Sequence, residues 1–264
     1  MRKIYIVPNI VTTANMFCGF YSVIASMHGE FVPAAWAIVA AAVFDMLDGR
    51  IARLAKATSL FGVQYDSMSD LISFGMAPGI LLYQWALEPF GRLGWMAAFL
   101  FTCCGGLRLA RFNVNSASVP KGFFQGLPIP GAAGVVATFI IFHQATGWPL
   151  DSTGEGFQFF SATRESITLI MALVLASLMV STIKFPSFKE LNWRSRASFG
   201  YLMIGVLSMI LIAVRPEVTL FLMLASYIAF CLVWNLFRLV RKPTAAVAAR
   251  NYSDATEIDV TDHD

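Results

Sequence analysis

Long apolar runs, broken by short polar or Gly- and Pro-marked connections, fill most of the 264-residue chain. Runs of this length suit helices that cross a bilayer, which need about 20 predominantly apolar residues. The pattern predicts eight such spans. They run from about Ile10 to Met27, Pro33 to Arg53, Gly62 to Trp85, Leu93 to Phe112, Ile129 to Gly147, Ser166 to Ile183, Phe199 to Val214 and Val218 to Leu239. Pro33 suits the first turn of the second span, where its missing N–H costs nothing. Asp151 to Gln158 reads as a polar connection. The predicted class is therefore all-α, a polytopic integral membrane helical bundle. A single transmembrane domain is expected over residues 1–241. The polar tail, 242–264, has few large apolar residues and is expected to be disordered. Neither a soluble domain nor an internal repeat is visible.

Composition sharpens this picture. Hydrophobic residues make up 57% of the chain and charged residues only 13%, as in integral membrane proteins. The distribution of Lys and Arg then orients the spans, because cytoplasmic connections carry the excess of positive charge. With the N-terminus in the cytoplasm, sixteen basic residues fall on that side, among them Arg2, Lys3, Arg50, Arg53, Lys56, Arg108, Arg111, Lys121, Lys184 and Lys242. Only Arg92, Arg164 and Arg215 fall outside. Both termini are expected to be cytoplasmic, and a miscounted span would scramble the asymmetry. Arg2 and Lys3 before an apolar run faintly resemble a signal peptide, but no small-residue cleavage site follows, so a retained first helix is expected. The net charge of +3 and the lack of a basic stripe with interleaved aromatics exclude a nucleic-acid partner. Cys18, Cys103, Cys104 and Cys231 lie inside apolar segments without Cys-x-x-Cys spacing, and read as buried apolar residues. His28, His143 and His263 are isolated.

Chemistry concentrates in one stretch, Asp45 to Asp70, DMLDGRIARLAKATSLFGVQYDSMSD. Asp45 and Asp48 are three apart, and Asp66 and Asp70 are four apart, so each pair shares a helix face. Gly62 lies four before Asp66 on the same stripe. Two helices joined by the short basic connection Arg50 to Ser59 can aim all four carboxylates at one point, at one end of spans two and three. Four acids in apolar surroundings require cations to stay ionised. Mg²⁺, Mn²⁺ or Ca²⁺ prefer oxygen ligands, and two divalent ions would balance the four charges.

The pattern Asp45-x-x-Asp48-Gly49-x-x-Ala52-Arg53, eight residues, Gly62-x-x-x-Asp66-x-x-x-Asp70 resembles the signature of the CDP-alcohol phosphotransferase family at every defined position. The resemblance implies that family's fold and its reaction. The pyrophosphate of a CDP-linked lipid is cleaved, the phosphatidyl group passes to an alcohol, and CMP leaves. It also implies that Asp45, Asp48 and Asp66 ligate metal, and that Asp70 completes the site and accepts the proton of the attacking hydroxyl. Two Mg²⁺ or Mn²⁺ ions are the implied cofactors. Gly49, Ala52 and Gly62 would allow close approach of the nucleotide, and Arg53 would hold pyrophosphate oxygens through its fork of donors. Tight packing between small residues is the structural alternative for the two glycines. Upstream, Pro8-Asn9-x-x-Thr12-x-x-Asn15 opens the first span. Asn15 either borders the CDP-lipid pocket, as the resemblance implies, or makes a helix-to-helix hydrogen bond.

Three further stretches resemble the phosphatidylserine-forming branch of the family. They are Asp70-Leu-Ile-Ser-Phe-Gly-Met-Ala-Pro78, Arg108-Leu-Ala-Arg-Phe-Asn113 and Phe124-Gln-Gly-Leu-Pro-Ile-Pro130, and Ser187-Phe188-Lys189 also fits. The implied substrates are CDP-diacylglycerol and L-serine, met in the bilayer of a bacterial inner membrane by a homodimer. Arg108, Arg111 and Lys121 form a basic group on the active side. They can hold a lipid phosphate, the serine carboxylate or an acceptor phosphate, or can serve topology alone. Glycerol 3-phosphate and inositol phosphate therefore stay open as acceptors. A divalent-cation transporter is the alternative of a different class, but it favours acids near mid-bilayer and broken helices in matching halves.

Overall fold

The computed structural model describes residues 6–54, 59–115, 123–147, 164–186, 198–235 and 237. The first two helices form a hairpin. α1 (Ile6–Met27) and α2 (Phe31–Leu54) are joined by a turn in which Gly29 takes φ +78°, a conformation that only glycine adopts cheaply. The Glu30 N–H reaches the Ala25 carbonyl at 2.9 Å and the Gly29 N–H reaches Ser26 at 3.1 Å, the paired bonds that close a helix C-terminus. Ala34, Ala35, Ile38 and Ala41 on α2 are fully buried, and their small size lets the helices pack closely.

The third helical body is not uniform. α3 (Leu60–Asp70) starts at Ser59, whose Oγ accepts from the Gly62 N–H at 2.9 Å. It passes into a π-helical stretch (Leu71–Met76), then α4 (Ala77–Leu82), then a second π-helical stretch (Tyr83–Leu87). Pro78 lacks an N–H and crowds the carbonyl four residues back, so a regular ladder fails there, and the wide turn directly precedes it. The sequence pattern predicts one plain helix over this range. Its length is right and its winding differs, for that reason.

α5 (Arg92–Asn115) returns to the acidic end of the bundle. α6 (Ile129–Thr146), α7 (Arg164–Val180), α8 (Ser198–Val214) and α9 (Pro216–Asn235) follow. Eight helical bodies thus stand among the described residues where eight spans were predicted. Five segments, Asn9–Met27, Phe31–Ile51, Arg92–Val114, Ile129–Thr146 and Pro216–Asn235, are long and apolar enough to cross a bilayer. α7 and α8, at 17 residues each, sit at the short end of the spanning range. Large apolar side chains such as Phe17, Phe20, Trp95, Phe99, Leu207 and Met209 are exposed. In water this would be a liability, and against lipid tails it is the stable arrangement. The chain is a multi-pass membrane protein.

An unpredicted feature is a two-stranded antiparallel ribbon, β1 (Phe123–Gln125) with β2 (Lys184–Pro186), in register Phe124↔Phe185. The predicted sixth span runs to Ile183, but α7 ends at Val180 because β2 needs extended backbone soon after. The core is built from Phe74, Leu81, Leu82, Phe101, Leu127, Ile129 and Phe139, all at or near zero exposure. Away from the acids, Trp85 is met edge-on by Phe139 and His143, with the Arg164 guanidinium 5.6 Å from its ring centre.

The chain falls into two units, Met1–Leu224 and Ala225–Asp264. In the first, Phe221 stacks on Phe142 at 4.9 Å. In the second, Asn235 Nδ2 donates to the Cys231 carbonyl at 2.8 Å. The tail 242–264, the connection 151–158 and Ser187 to Lys189 lie outside the described residues.

Candidate active site

Asp45, Asp48 and Asp66 converge. Each offers one carboxylate oxygen, and the three oxygens lie within 4.8 Å of one another. Asp45 and Asp48 come from the last turns of α2, and Asp66 from the middle of α3. Asp70 stands outside this triad but next to it. Its side chain lies close enough to those of Asp45, Asp48 and Asp66 for the four charges to act on one another. The same-face spacing visible in the sequence thus brings all four acids together, three of them within reach of one ion. Asp66 and Asp48 are partly and fully buried, and Asp70 is only 8% exposed. Burying like charges side by side is costly without compensation.

The donor set suits a divalent ion. Metal–oxygen bonds of about 2.0–2.6 Å set ligand oxygens up to roughly 5 Å apart, which accommodates the triad. The ligands are all oxygen, as Mg²⁺, Mn²⁺ and Ca²⁺ prefer. Asp66 Oδ1 is buried with no hydrogen-bond partner, an orphaned acceptor of the kind a metal satisfies.

α1 supplies the wall behind the acids. Thr12 Oγ1 donates to Asp48 Oδ2 at 3.0 Å, and Asn15 Nδ2 donates to Asp70 Oδ1 at 3.2 Å. Asn15 is fully buried, and its Oδ1 has no partner. Return bonds come from the third helical body. Ser69 Oγ donates to the Thr12 carbonyl at 3.1 Å and Ser73 Oγ to the Asn15 carbonyl at 2.9 Å. A Cβ at Gly19 would collide with Ser73, its Cα included, so only glycine allows this approach. Nearer the surface, Thr13 Oγ1 meets the Tyr65 hydroxyl at 2.9 Å.

The two signature glycines differ in surroundings. A Cβ on Gly49 would meet no described atom within 4 Å, so packing does not demand glycine there. A Cβ on Gly62 would approach Ser59 Oγ at 3.2 Å, so that the capping hydroxyl would have to give by a few tenths of an ångström, and Asn9 Oδ1 at an ordinary 3.7 Å. The side chains of Ala52 and Arg53, and all of Lys121, lie outside the described residues.

The basic residues separate into two roles. Arg108 is 7% exposed, its Nε has no hydrogen-bond partner, and it lies within Coulombic reach of Asp70. Its guanidinium carbon is 5.9 Å from the Phe112 ring centre. Arg111 instead faces the end of α7. Its Nη1 donates to the Val180 carbonyl at 2.8 Å, and its Nη2 to those of Met179 and Ser181 at 3.2 Å each. A cation there also suits the negative end of the helix dipole. Gly126, at φ +77°, packs into the same corner, where a Cβ would lie 2.8 Å from Arg111 Nη2. Asn113 Nδ2 donates to Ser67 Oγ at 2.9 Å, tying α5 to α3.

Comparison with known proteins agrees with this geometry. The family model described as CDP-alcohol phosphatidyltransferase matches residues 5–183. The chain belongs to this family. Its members use divalent metal ions, in keeping with the acidic cluster. The chain is 33% identical to a CDP-diacylglycerol–serine O-phosphatidyltransferase of Helicobacter pylori, over 91% of its own length and 95% of that protein's. It is 32% identical to the protein of the same name from Bacillus subtilis, over 70% and 92% of the two chains. An archaetidylserine synthase of Methanothermobacter thermautotrophicus is 34% identical over 68% and 69%.

Several residues that shape the family site carried no role in the sequence pattern. Thr12, Ser69 and Ser73 are the main ones. Their signal was present, since Thr12 and Asn15 are three apart on α1, and Ser69 and Ser73 four apart on the third body. What the spacing lacks is the partner, because these bonds join residues 36 to 58 positions apart.

Proposed function

We propose that the chain is a CDP-diacylglycerol–serine O-phosphatidyltransferase, transferring the phosphatidyl group to the hydroxyl of L-serine. The observation that carries the reaction class is the convergence of Asp45, Asp48 and Asp66 beside Asp70 at one end of the bundle. The acceptor rests on the relatives named for serine transfer, which the chain matches over most of its length.

In this assignment Asp45, Asp48 and Asp66, completed by Asp70, hold two divalent ions, Mg²⁺ or Mn²⁺. Such ions would neutralise pyrophosphate charge and clamp the attacking and leaving oxygens of an in-line displacement. The chain's own residues do the rest. Asp70 takes the proton of the serine hydroxyl, whose oxygen forms a new bond to the lipid-side phosphorus. The bond from that phosphorus to the bridging oxygen breaks, and CMP leaves with the electron pair. An unassisted hydroxyl is a poor nucleophile, so a positioned base is required. Gly49 presents bare helix to the nucleotide, Gly62 and Ala52 line the same approach, Arg53 holds pyrophosphate oxygens, and Asn15 closes the inner wall. Arg108 receives the serine carboxylate, since a buried guanidinium whose Nε has no partner favours an anion. Arg111 and Lys121 complete the basic side.

The charge asymmetry supports a cytoplasmic side for both termini and the acids, and the proposed site is the bacterial inner membrane, where water-soluble serine and CMP exchange freely on that side. The transmembrane domain extends to residue 241 with a polar tail beyond, and the enzyme works as a homodimer. The decisive assay offers serine, glycerol 3-phosphate and inositol phosphate separately with CDP-diacylglycerol and Mn²⁺ or Mg²⁺. CMP release with serine alone is expected. Release with a phosphorylated acceptor instead moves the chain to another branch of the family.

A further inference from the structure

Two of the four acids, Asp48 and Asp70, take a side-chain donor from α1. α1 carries no acid itself, but it presents both donors. Thr12 Oγ1 donates to one oxygen of Asp48 and Asn15 Nδ2 to one oxygen of Asp70. The backbone beneath each donor is anchored, because the carbonyls of these same two residues accept from Ser69 and Ser73, the latter three positions beyond Asp70. Thr12, Asn15, Ser69 and Ser73 are all buried, and the Gly19–Ser73 contact fixes the spacing of the two helices.

We infer that Thr12 and Asn15 are positioning residues with divided tasks, Thr12 setting the metal-facing oxygen of Asp48 and Asn15 setting the proton-accepting oxygen of Asp70. The inference rests on the carboxylate roles assigned above. A carboxylate has two oxygens, and a donor on one fixes the rotamer that aims the other. Asp48 with Oδ2 engaged presents Oδ1 to the triad. Asp70 with Oδ1 engaged presents Oδ2 to the incoming hydroxyl. Groups that orient metal ligands in this way commonly matter about 10- to 100-fold in affinity or activity. Of the two readings of Asn15, a border of the CDP-lipid pocket implied by the family resemblance and a helix-to-helix hydrogen bond, its amide makes the second, toward Asp70.

The test separates the two tasks in full-length protein purified in detergent. Mn²⁺ affinity is read by electron paramagnetic resonance, from the loss of the free-ion signal, and turnover by CMP release at saturating Mn²⁺. Thr12→Val, which keeps shape but removes the hydroxyl, is expected to weaken Mn²⁺ binding about tenfold or more. Thr12→Ser, which restores a hydroxyl, is expected to hold affinity within about threefold of the parent. Asn15→Leu is expected to keep Mn²⁺ affinity within about threefold while kcat falls about tenfold or more. If Thr12→Val yields no folded protein, Thr12→Ala is compared with Thr12→Ser in the same way. Unchanged Mn²⁺ binding in the hydroxyl-less variant, or equal damage in Thr12→Val and Thr12→Ser, overturns the clamp. So does an Asn15→Leu protein whose kcat is restored fully by excess Mn²⁺. An unsubstituted protein that releases CMP but binds no Mn²⁺ overturns the metal assignment itself, and is distinguishable from these results.

Discussion

Asp70→Asn separates binding from chemistry at this site. The substitution keeps size and shape, and an amide oxygen can still accept from Asn15 Nδ2, which lies 3.2 Å from Asp70 Oδ1. The local fold is therefore expected to survive. What disappears is a negative charge and the only one of the four acids that stands outside the triad, beside the buried Arg108. Loss of a general base costs about 10²- to 10⁴-fold in rate, which at about 1.4 kcal/mol per tenfold is roughly 3–5 kcal/mol of transition-state stabilisation. Asp45, Asp48 and Asp66 keep their oxygens in place, so CDP-diacylglycerol binding is expected to fall far less than turnover. Asp48→Asn is the contrast. It removes a triad charge while leaving an amide oxygen that can still accept from Thr12, so metal and nucleotide-lipid binding are expected to weaken together. Isothermal titration of CDP-diacylglycerol, paired with CMP release in both variants, measures the split. Near-normal CMP release from Asp70→Asn with serine would falsify the assignment of the base.

Chelation with EDTA is expected to abolish CMP release, and Mg²⁺ or Mn²⁺ to restore it, with full activity after thorough demetallation as the contrary result. Reporter fusions after Lys242 and near Ser152 are expected to report opposite sides of the membrane, because three spans separate them in the charge-based topology; the same side for both would refute the eight-span count. Gly49→Ala is expected to leave thermal stability unchanged or raised by about 0.5–1 kcal/mol, since a helical Gly is costly and a Cβ there meets no described atom within 4 Å. The same variant is expected to raise KM for CDP-diacylglycerol several-fold, and an unchanged KM removes Gly49 from the nucleotide approach. Gly126→Ala is expected to lower stability by about 2–4 kcal/mol, from its positive φ and from the collision of a Cβ with the Met179 carbonyl and Arg111. A melting curve matching the parent's would refute the strain there.

The spans and the acidic stretch were readable from the chain because both are local signals. Apolar run length dictates where helices cross lipid, and spacings of three and four dictate which acids share a face. The π-helical stretch before Pro78 follows from a local cause too, but a proline signals only that the ladder fails and not how the backbone recovers. The β1–β2 ribbon escaped notice because each strand has three residues and gains order only from the other, about 60 positions away. Arg111 shows the same limit. A basic residue on the active side fits anion binding and helix capping alike, and only its bonds to Met179, Val180 and Ser181 distinguish the two.

That division explains why the site is spread over three helical bodies. Acids held only by α2 and α3 would repel one another across a short connection and splay apart. α1 opposes this with two side-chain donors aimed at the acids and two carbonyls tied to Ser69 and Ser73. Each of these bonds is worth about 0.5–3 kcal/mol, more when one partner is charged. Four of them at one contact, closed by the Gly19–Ser73 approach, can hold a repulsive group in a geometry ready for cations. The sequence motif names the acids, while the wall that keeps them together is written in Thr12, Asn15, Gly19, Ser69 and Ser73, residues ordinary enough to pass for helix packing.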